Sequence, residues 1–332
     1  MAIKLSNRIR TVKPSPTLTL SAKAKEMKDS GIDVISFGVG EPDFNTPDYI
    51  KKSAHAALDA NFTRYTANAG IIELRKAICD KLKRENGLDY EPKQILVSPG
   101  AKASIINTLM SICDYGDQVL VPVPYWVSYP YQVMLAGAEP VYVQTKLEDS
   151  YKLQPSVLEA SIKENPNAKA LILNSPSNPT GAVYSKEELT ALAAVCVQYN
   201  IIVLSDEIYE RLVYDGTKHV SIASVSPGMK DLTVVINGVS KAYAMTGWRL
   251  GYAAGPQEII SAAGRVQEHC SSCVNSITQK ATVTALLEED DSIEKMRAEF
   301  EQRRNFLYDE LLKNKHLKCF KPRGAFYIMP DI

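Results

Sequence analysis

Apolar positions along this chain follow two periods. Short runs rich in aliphatic and β-branched residues occur at 94–97, 118–121, 140–144, 170–173, 201–204 and 233–236, and each is the length of a buried strand. Around them apolar residues recur at three and four, which predicts helices over 20–29, 47–60, 71–85, 154–163 and 186–199, with another apolar helix ending at Ile112. A strand followed by a helix, repeated, predicts an α/β fold with a mostly parallel sheet, because parallel neighbours need a long crossover that covers the sheet faces. Residues 34–37 lead into a turn-rich loop with Gly38, Gly40, Pro42 and Pro47. The third glycine of a dinucleotide fingerprint is absent there and no helix opens. Beyond Gly255 the pattern is helical, and the charged stretch 294–312 reads as a solvated face. A β-like apolar segment at 325–329 stands near the end of the sequence.

Composition narrows the function classes. The 332 residues are 45% hydrophobic and 23% charged, a globular balance that by length suggests about two domains. Lys plus Arg and Asp plus Glu both number 38, so nothing calls for a nucleic acid or an anionic membrane as partner. The apolar runs are strand-sized, far short of a bilayer span, and the N-terminal residues lack the apolar core of a secretory signal. Six scattered cysteines point to a reducing, cytoplasmic setting. Cys270 and Cys273 form one C-x-x-C, but no second pair at finger-like spacing follows, so coincidence is preferred to zinc.

The candidate chemistry sits where predicted strands end, which is where α/β sheets gather functional residues. After residues 170–173 comes Asn174-Ser175-Pro176-Ser177-Asn178-Pro179-Thr180-Gly181. After 201–204 comes Ser205-Asp206-Glu207-Ile208-Tyr209, and after 233–236 come Ser240-Lys241 and, later, Gly247-Trp248-Arg249. A lysine delivered into a tight turn beside a hydroxyl and an arginine suits an imine to an aldehyde cofactor that carries a phosphate; a surface lysine beside an unrelated arginine is an equal reading of those residues alone. If the cofactor is pyridoxal phosphate, Asp206 is the carboxylate for the ring nitrogen, Tyr209 and Asn178 face the phenolic oxygen, and Trp126 is the stacking partner. Ser240, Arg249 and the backbone near Gly100, Ala101 and Lys102, where a strand turns into a helix start, are candidates for the phosphate.

These stretches, together with Gly40-Glu41-Pro42-Asp43, residues 65–70 and Tyr125-Trp126-Val127-Ser128-Tyr129, resemble the class I, fold type I pyridoxal-phosphate aminotransferases, most closely the bacterial and archaeal aspartate aminotransferase branch. The resemblance implies that Lys241 forms the Schiff base and moves the proton, with Asp206, Asn178, Tyr209, Trp126, Ser240, Arg249 and Gly100 to Lys102 in the roles above. It implies a homodimer in which Tyr65 reaches the second subunit's phosphate. It implies also that Lys102, with Ser15 and Thr17, meets the distal carboxylate of acidic substrates, that the Gly40 backbone meets the α-carboxylate, and that Phe326 and, again, Trp126 and Asn178 lie near the substrate.

On the same resemblance, 1–45 is an N-terminal segment belonging with a small domain, 46–288 a large cofactor-binding domain, and 289–332 the start of an incomplete small domain. The family continues past the segment matching Gly324-Ala325-Phe326-Tyr327, and its bidentate α-carboxylate arginine has no counterpart here. The expected activity is transfer of an amino group from L-aspartate to 2-oxoglutarate. The alternatives are a truncated remnant that binds cofactor without turnover, and an aminotransferase for prephenate or aromatic donors.

Overall fold

The computed structural model describes residues 3–38, 40–288 and 290–332, so residue 1 and the expected boundary at 289 lie outside the described residues. Two helices, α1 (Asn7–Thr11) and α2 (Pro16–Asp29), precede α3 (Asp48–Asp59) and α4 (Ile72–Asn86). The sheet and its crossovers follow as β1 (Ile95–Ser98), α5 (Ala101–Ile112), β2 (Gln118–Val123), α6 (Tyr129–Leu135), β3 (Glu139–Gln144), α7 (Pro155–Glu164), β4 (Ala168–Asn174), α8 (Lys186–Gln198), β5 (Ile202–Asp206), α9 (Pro227–Asp231), β6 (Thr233–Gly238) and β7 (Gly251–Ala254). Three helices end the chain: α10 (Gln257–Cys270), α11 (Ser276–Leu287) and α12 (Ser292–Leu312).

The seven strands run in the order β1-β7-β6-β5-β4-β2-β3. All pairings are parallel except those of β7, which lies antiparallel to both β1 and β6. Alternate strand residues serve opposite faces. Val119, Val121, Ala170, Ile172, Leu204, Val234 and Ile236 pack with Ile105 and Leu109 of α5, Val133 of α6 and Ile260 of α10. Leu120, Leu171, Leu173 and Val203 pack with Leu158 of α7 and Leu189 and Leu192 of α8. This is the arrangement that near-continuous apolar strands require.

Local signals set several element ends. Gly87 takes the left-handed cap of α4 at φ 67°, and Ser185 with Glu188 forms a capping box on α8. Three sequence expectations need correction. Strand β7 is too short and glycine-led to stand out, yet it fills the gap between β1 and β6. Helix α6 follows Trp126, where no helix was expected. The apolar segment 325–329 adds no strand; the chain there makes isolated bridges, Val213 with Gly324 and Lys318 with Asp331.

Candidate active site

The ends of β4, β5 and β6 are level: Asn174 pairs with Asp206, and Asp206 with Ile236. Parallel register therefore brings three loops separated in sequence to one sheet edge. The β6 strand hands the chain into a turn that carries Lys241. Its Nζ donates to the Gly40 carbonyl at 2.6 Å and lies 5.7 Å from the centre of the Phe326 ring and 6.0 Å from that of Tyr209. Burial pulls the Lys241 pKa down; Glu41 and Asp206 oppose this and Arg249 adds to it, leaving the value about 8. Near neutrality a useful fraction of this amine is unprotonated.

Asp206 is buried at the end of β5. One carboxylate oxygen accepts the Tyr129 hydroxyl at 2.6 Å and the other accepts the Ile208 amide at 3.2 Å. Burial pushes its pKa up and Glu207 adds to this, while the two hydrogen bonds and Lys241 pull it down, for a value of about 6. Beside it, the hydroxyls of Tyr209 and Tyr327 are 2.8 Å apart, and the Asn178 amide donates to both, at 3.5 and 3.3 Å. Asn178 is held in turn by its own N–H, which donates to Asn174 Oδ1 at 2.6 Å. Burial raises the Tyr209 hydroxyl well above its usual range, and Tyr327 to about 12, so both stay protonated donors.

The other end of the site lies at the start of α5. Gly100 caps that helix at φ 88°, and a β-carbon there would stand 2.7 Å from Arg249 Nη2. The guanidinium thus lies against the helix start, where the first-turn amides of Ala101 and Lys102 have no partner within the helix. Glycine at 100 is required both by conformation and by this close approach. Ser240 is buried in the turn just before Lys241. The Lys102 ammonium lies 4.8 Å above the Trp126 ring, and burial and Arg249 together lower its pKa. Trp126 meets Tyr129 edge-on at 5.3 Å, and Phe326 stacks on Phe300 at 5.1 Å.

The chemistry of this donor set is an anion cradle at one end, a buried carboxylate suited to a ring cation at the other, and an amine of lowered pKa between flanking aromatic rings. It fits a flat, phosphate-bearing aldehyde. Three expected site residues stand apart from it. Tyr65 is 92% exposed, and among the described residues no hydrogen bond or ring contact joins it to this chain's site. Ser15 and Thr17 bond each other at 2.9 Å at the start of α2, with no hydrogen bond to Lys102. Gly40 is placed as expected beside Lys241, and a β-carbon on it would overlap the Tyr327 hydroxyl at 2.1 Å.

Tyr129, Tyr327 and Glu41 are site residues to which sequence reasoning gave no role. The signals were slight: Tyr129 lies one helical turn beyond Trp126, and Tyr327 follows Phe326. Arg304, a buried arginine of α12, is committed to a bidentate pair with Asp215, 2.9 Å for each bond, and to the Pro322 carbonyl. Of the two cysteines in the C-x-x-C, Cys270 is exposed and Cys273 accepts the Thr66 amide at 3.5 Å. Glu207, Glu210 and His219 bring potential ligand atoms within 4.8 Å of one another. The two carboxylates are already engaged: Glu207 accepts Ser205, Ser221 and His219 at 2.7, 2.6 and 2.9 Å, while Glu210 accepts Lys81 and Asn86; His219 Nδ1 is buried without a hydrogen-bond partner.

Comparison with known proteins agrees with this geometry. The family described as aminotransferase class I and II matches residues 32–332. An aspartate aminotransferase of Geobacillus stearothermophilus is 48% identical over 329 residues, 99% of this chain and 83% of the relative. An aspartate/prephenate aminotransferase of Cereibacter sphaeroides is 47% identical, over 99% of this chain and 82% of the relative. The crystal structure of the aspartate aminotransferase from Rhizobium meliloti superposes with a TM-score of 0.94 at 42% identity, covering 98% of this chain and 81% of that one. No helix among the described residues is long and apolar enough to cross a membrane.

Proposed function

We propose that this chain, which belongs to the class I and II aminotransferase family, uses pyridoxal phosphate to exchange an amino group between L-aspartate and 2-oxoglutarate, as a homodimer. The observation that carries the substrate reading is near-full-length similarity, at 48% identity, to a protein named for aspartate. The Lys102 ammonium over Trp126 suits a second, distal carboxylate. Prephenate as an alternative acceptor is favoured by the Cereibacter relative, whose name includes it.

When bound, the cofactor supplies an electrophilic aldehyde and a ring that accepts the electrons of a breaking Cα–H bond. The residues supply everything else. Arg249, Ser240 and the amides of Ala101 and Lys102 would hold the phosphate, and Trp126 would serve as the stacking partner of the ring. Asp206 would keep the ring nitrogen protonated, and Tyr209 and Asn178 would donate toward the phenolic oxygen. Lys241 Nζ, with its lowered pKa, is the amine that would take up the aldehyde with loss of water and, once freed by the substrate's amine, the base that would move the substrate's α-proton. The Gly40 backbone would meet the α-carboxylate, Phe326 would wall the substrate, and Ser15 and Thr17 would assist Lys102 with the distal carboxylate. In this reading residues 46–288 form the cofactor domain, 1–45 go with a small domain, and 289–332 begin that small domain.

The homodimer draws support from exposure. Ile35, Phe37, Tyr65 and Tyr115 are 80%, 89%, 92% and 82% accessible in one chain, apolar and aromatic side chains that a second subunit would cover. Free thiols at six positions suit a reducing cytoplasm.

The test is turnover. Purified protein with pyridoxal phosphate, L-aspartate and 2-oxoglutarate should produce oxaloacetate and glutamate, and Lys241→Ala should abolish this without unfolding the chain. Activity with aromatic donors but none with aspartate would overturn the substrate reading. An intact, folded protein whose Lys241→Ala variant keeps full activity would overturn the mechanism.

A further inference from the structure

Residues 66–71 form a loop gripped from beneath by two glutamines, Gln267 of α10 and Gln279 of α11, both 0% exposed. Gln279 donates to Thr66 Oγ1 at 2.9 Å and to the Val274 carbonyl at 2.8 Å, and its own carbonyl accepts the Ile71 amide at 2.8 Å. Gln267 donates to the carbonyls of Asn68 and Val97 at 3.0 and 2.8 Å and accepts from Asn107 at 3.1 Å. The Asn68 side chain returns a bond to the Gly264 carbonyl at 3.0 Å, and the Val97 amide binds the Ala69 carbonyl at 3.1 Å. Gly70 takes φ 99° where a β-carbon would stand 2.6 Å from the Val97 side chain.

The residue at the head of this anchored loop, Tyr65, is 92% exposed. Burying two primary amides is costly unless every donor and acceptor is matched, and apolar side chains of similar shape would stabilise the core comparably. What fully matched amides add is a single set position for the backbone they bind.

We propose that Gln279 and Gln267 are positioning residues for catalysis in the neighbouring subunit: they fix the backbone of residues 66–71 so that Tyr65 meets the partner's cofactor phosphate in one posture. This rests on the homodimer reading given above. The glutamines touch neither cofactor nor substrate, and their effect on the reaction passes through Tyr65.

The experiment is a double-mutant cycle on the dimeric protein, read as the Kd for pyridoxal phosphate by absorbance titration. Tyr65→Phe should weaken binding about tenfold or more through loss of one charge-assisted hydrogen bond. Gln279→Leu should weaken it about tenfold, and Thr66→Val, which removes the acceptor for Gln279 together with a long 3.4 Å donation to the Ala67 carbonyl, about threefold. In the Tyr65→Phe background either change should add less than about twofold, because the group they position is gone. Full, additive losses in that background would overturn the proposal, since the glutamine would then act on the fold or on the chain's own site. If Gln279→Leu does not fold, Thr66→Val carries the cycle alone. A second arm pairs a Lys241→Ala chain with a Lys241-bearing chain: Gln279→Leu should weaken the one intact site only when placed on the Lys241→Ala chain. Weakening only when it is placed on the Lys241-bearing chain would overturn the proposal. A monomer would overturn it too, as failure of the homodimer reading, and a dimer whose Tyr65→Phe variant binds normally would overturn it by removing Tyr65 from the partner's site.

Discussion

Replacing Tyr129 with phenylalanine isolates the electrostatics of Asp206. The hydroxyl lies 2.6 Å from a carboxylate oxygen, both groups are buried, and the change removes one oxygen without altering the ring. A hydrogen bond to a charged partner contributes roughly 1.5 to 3 kcal/mol, a neutral one about 1 kcal/mol. The native Asp206 carboxyl titrates at about 6, raised by burial and held from rising further by Tyr129. Without the hydroxyl its midpoint should move to about 7 or above. The sign follows from linkage: a group whose folded pKa lies above its unfolded value binds more protons when folded, so its ionisation weakens the fold as pH rises. Tyr129→Phe should therefore cost about 1.5 to 3 kcal/mol at pH 8, where Asp206 is ionised in the native protein. At pH 5, where the carboxyl is neutral with or without its partner, the cost should fall to about 1 kcal/mol. Urea unfolding of the cofactor-free protein at pH 5, 6, 7 and 8, at one protein concentration, measures the gap. A gap that does not change with pH would refute the argument, because Asp206 would not be titrating between those limits.

Other perturbations probe separate parts of the molecule. Glu210 is pushed up by burial but drawn down to about 2 by Lys81, His219 and Asn86, so its stabilisation is present at neutral pH and disappears as pH falls from about 4 toward 2. Glu210→Gln should cost up to about 3 to 5 kcal/mol at pH 7 by leaving the buried Lys81 ammonium with only the longer Glu85 pair at 3.6 Å, whereas Lys81→Met with Glu210→Leu should recover most of that loss in thermal unfolding. Gly100→Ala should strain the backbone by about 1 to 3 kcal/mol and displace Arg249, weakening pyridoxal phosphate binding about tenfold in a titration; unchanged affinity would remove Arg249 from the phosphate cradle. Tyr327→Phe deletes a hydroxyl that contacts both Tyr209 and Asn178 and should lower kcat/KM about tenfold in a steady-state assay, with little change in melting temperature.

The sequence by itself determined the repeat of strand and helix, and with it the placement of Asp206 at a strand's end and of Asn178 and Lys241 just beyond strand ends. These are local matters: apolar period, β-branched runs and turn residues act within a few positions along the chain. It could not determine the order in which strands pair. Strand β7 reaches its place between β1 and β6 only because Gly251, lacking a β-carbon, lets the start of α5 approach; such an atom would lie 2.2 Å from the Ala101 nitrogen.

The site's chemistry divides the same way. That a lysine stands in a turn after a strand is written in residues 233–241, but that its pKa is about 8 is a sum of burial and of charges at Glu41, Arg249 and Asp206, brought together from distant positions. Tyr129 meets Asp206 across 77 residues, and Tyr327 meets Asn178 across 149. No period or motif carries such pairings. Hydrogen bonding and desolvation depend on distances in space, and those distances were decided when parallel register levelled the ends of β4, β5 and β6.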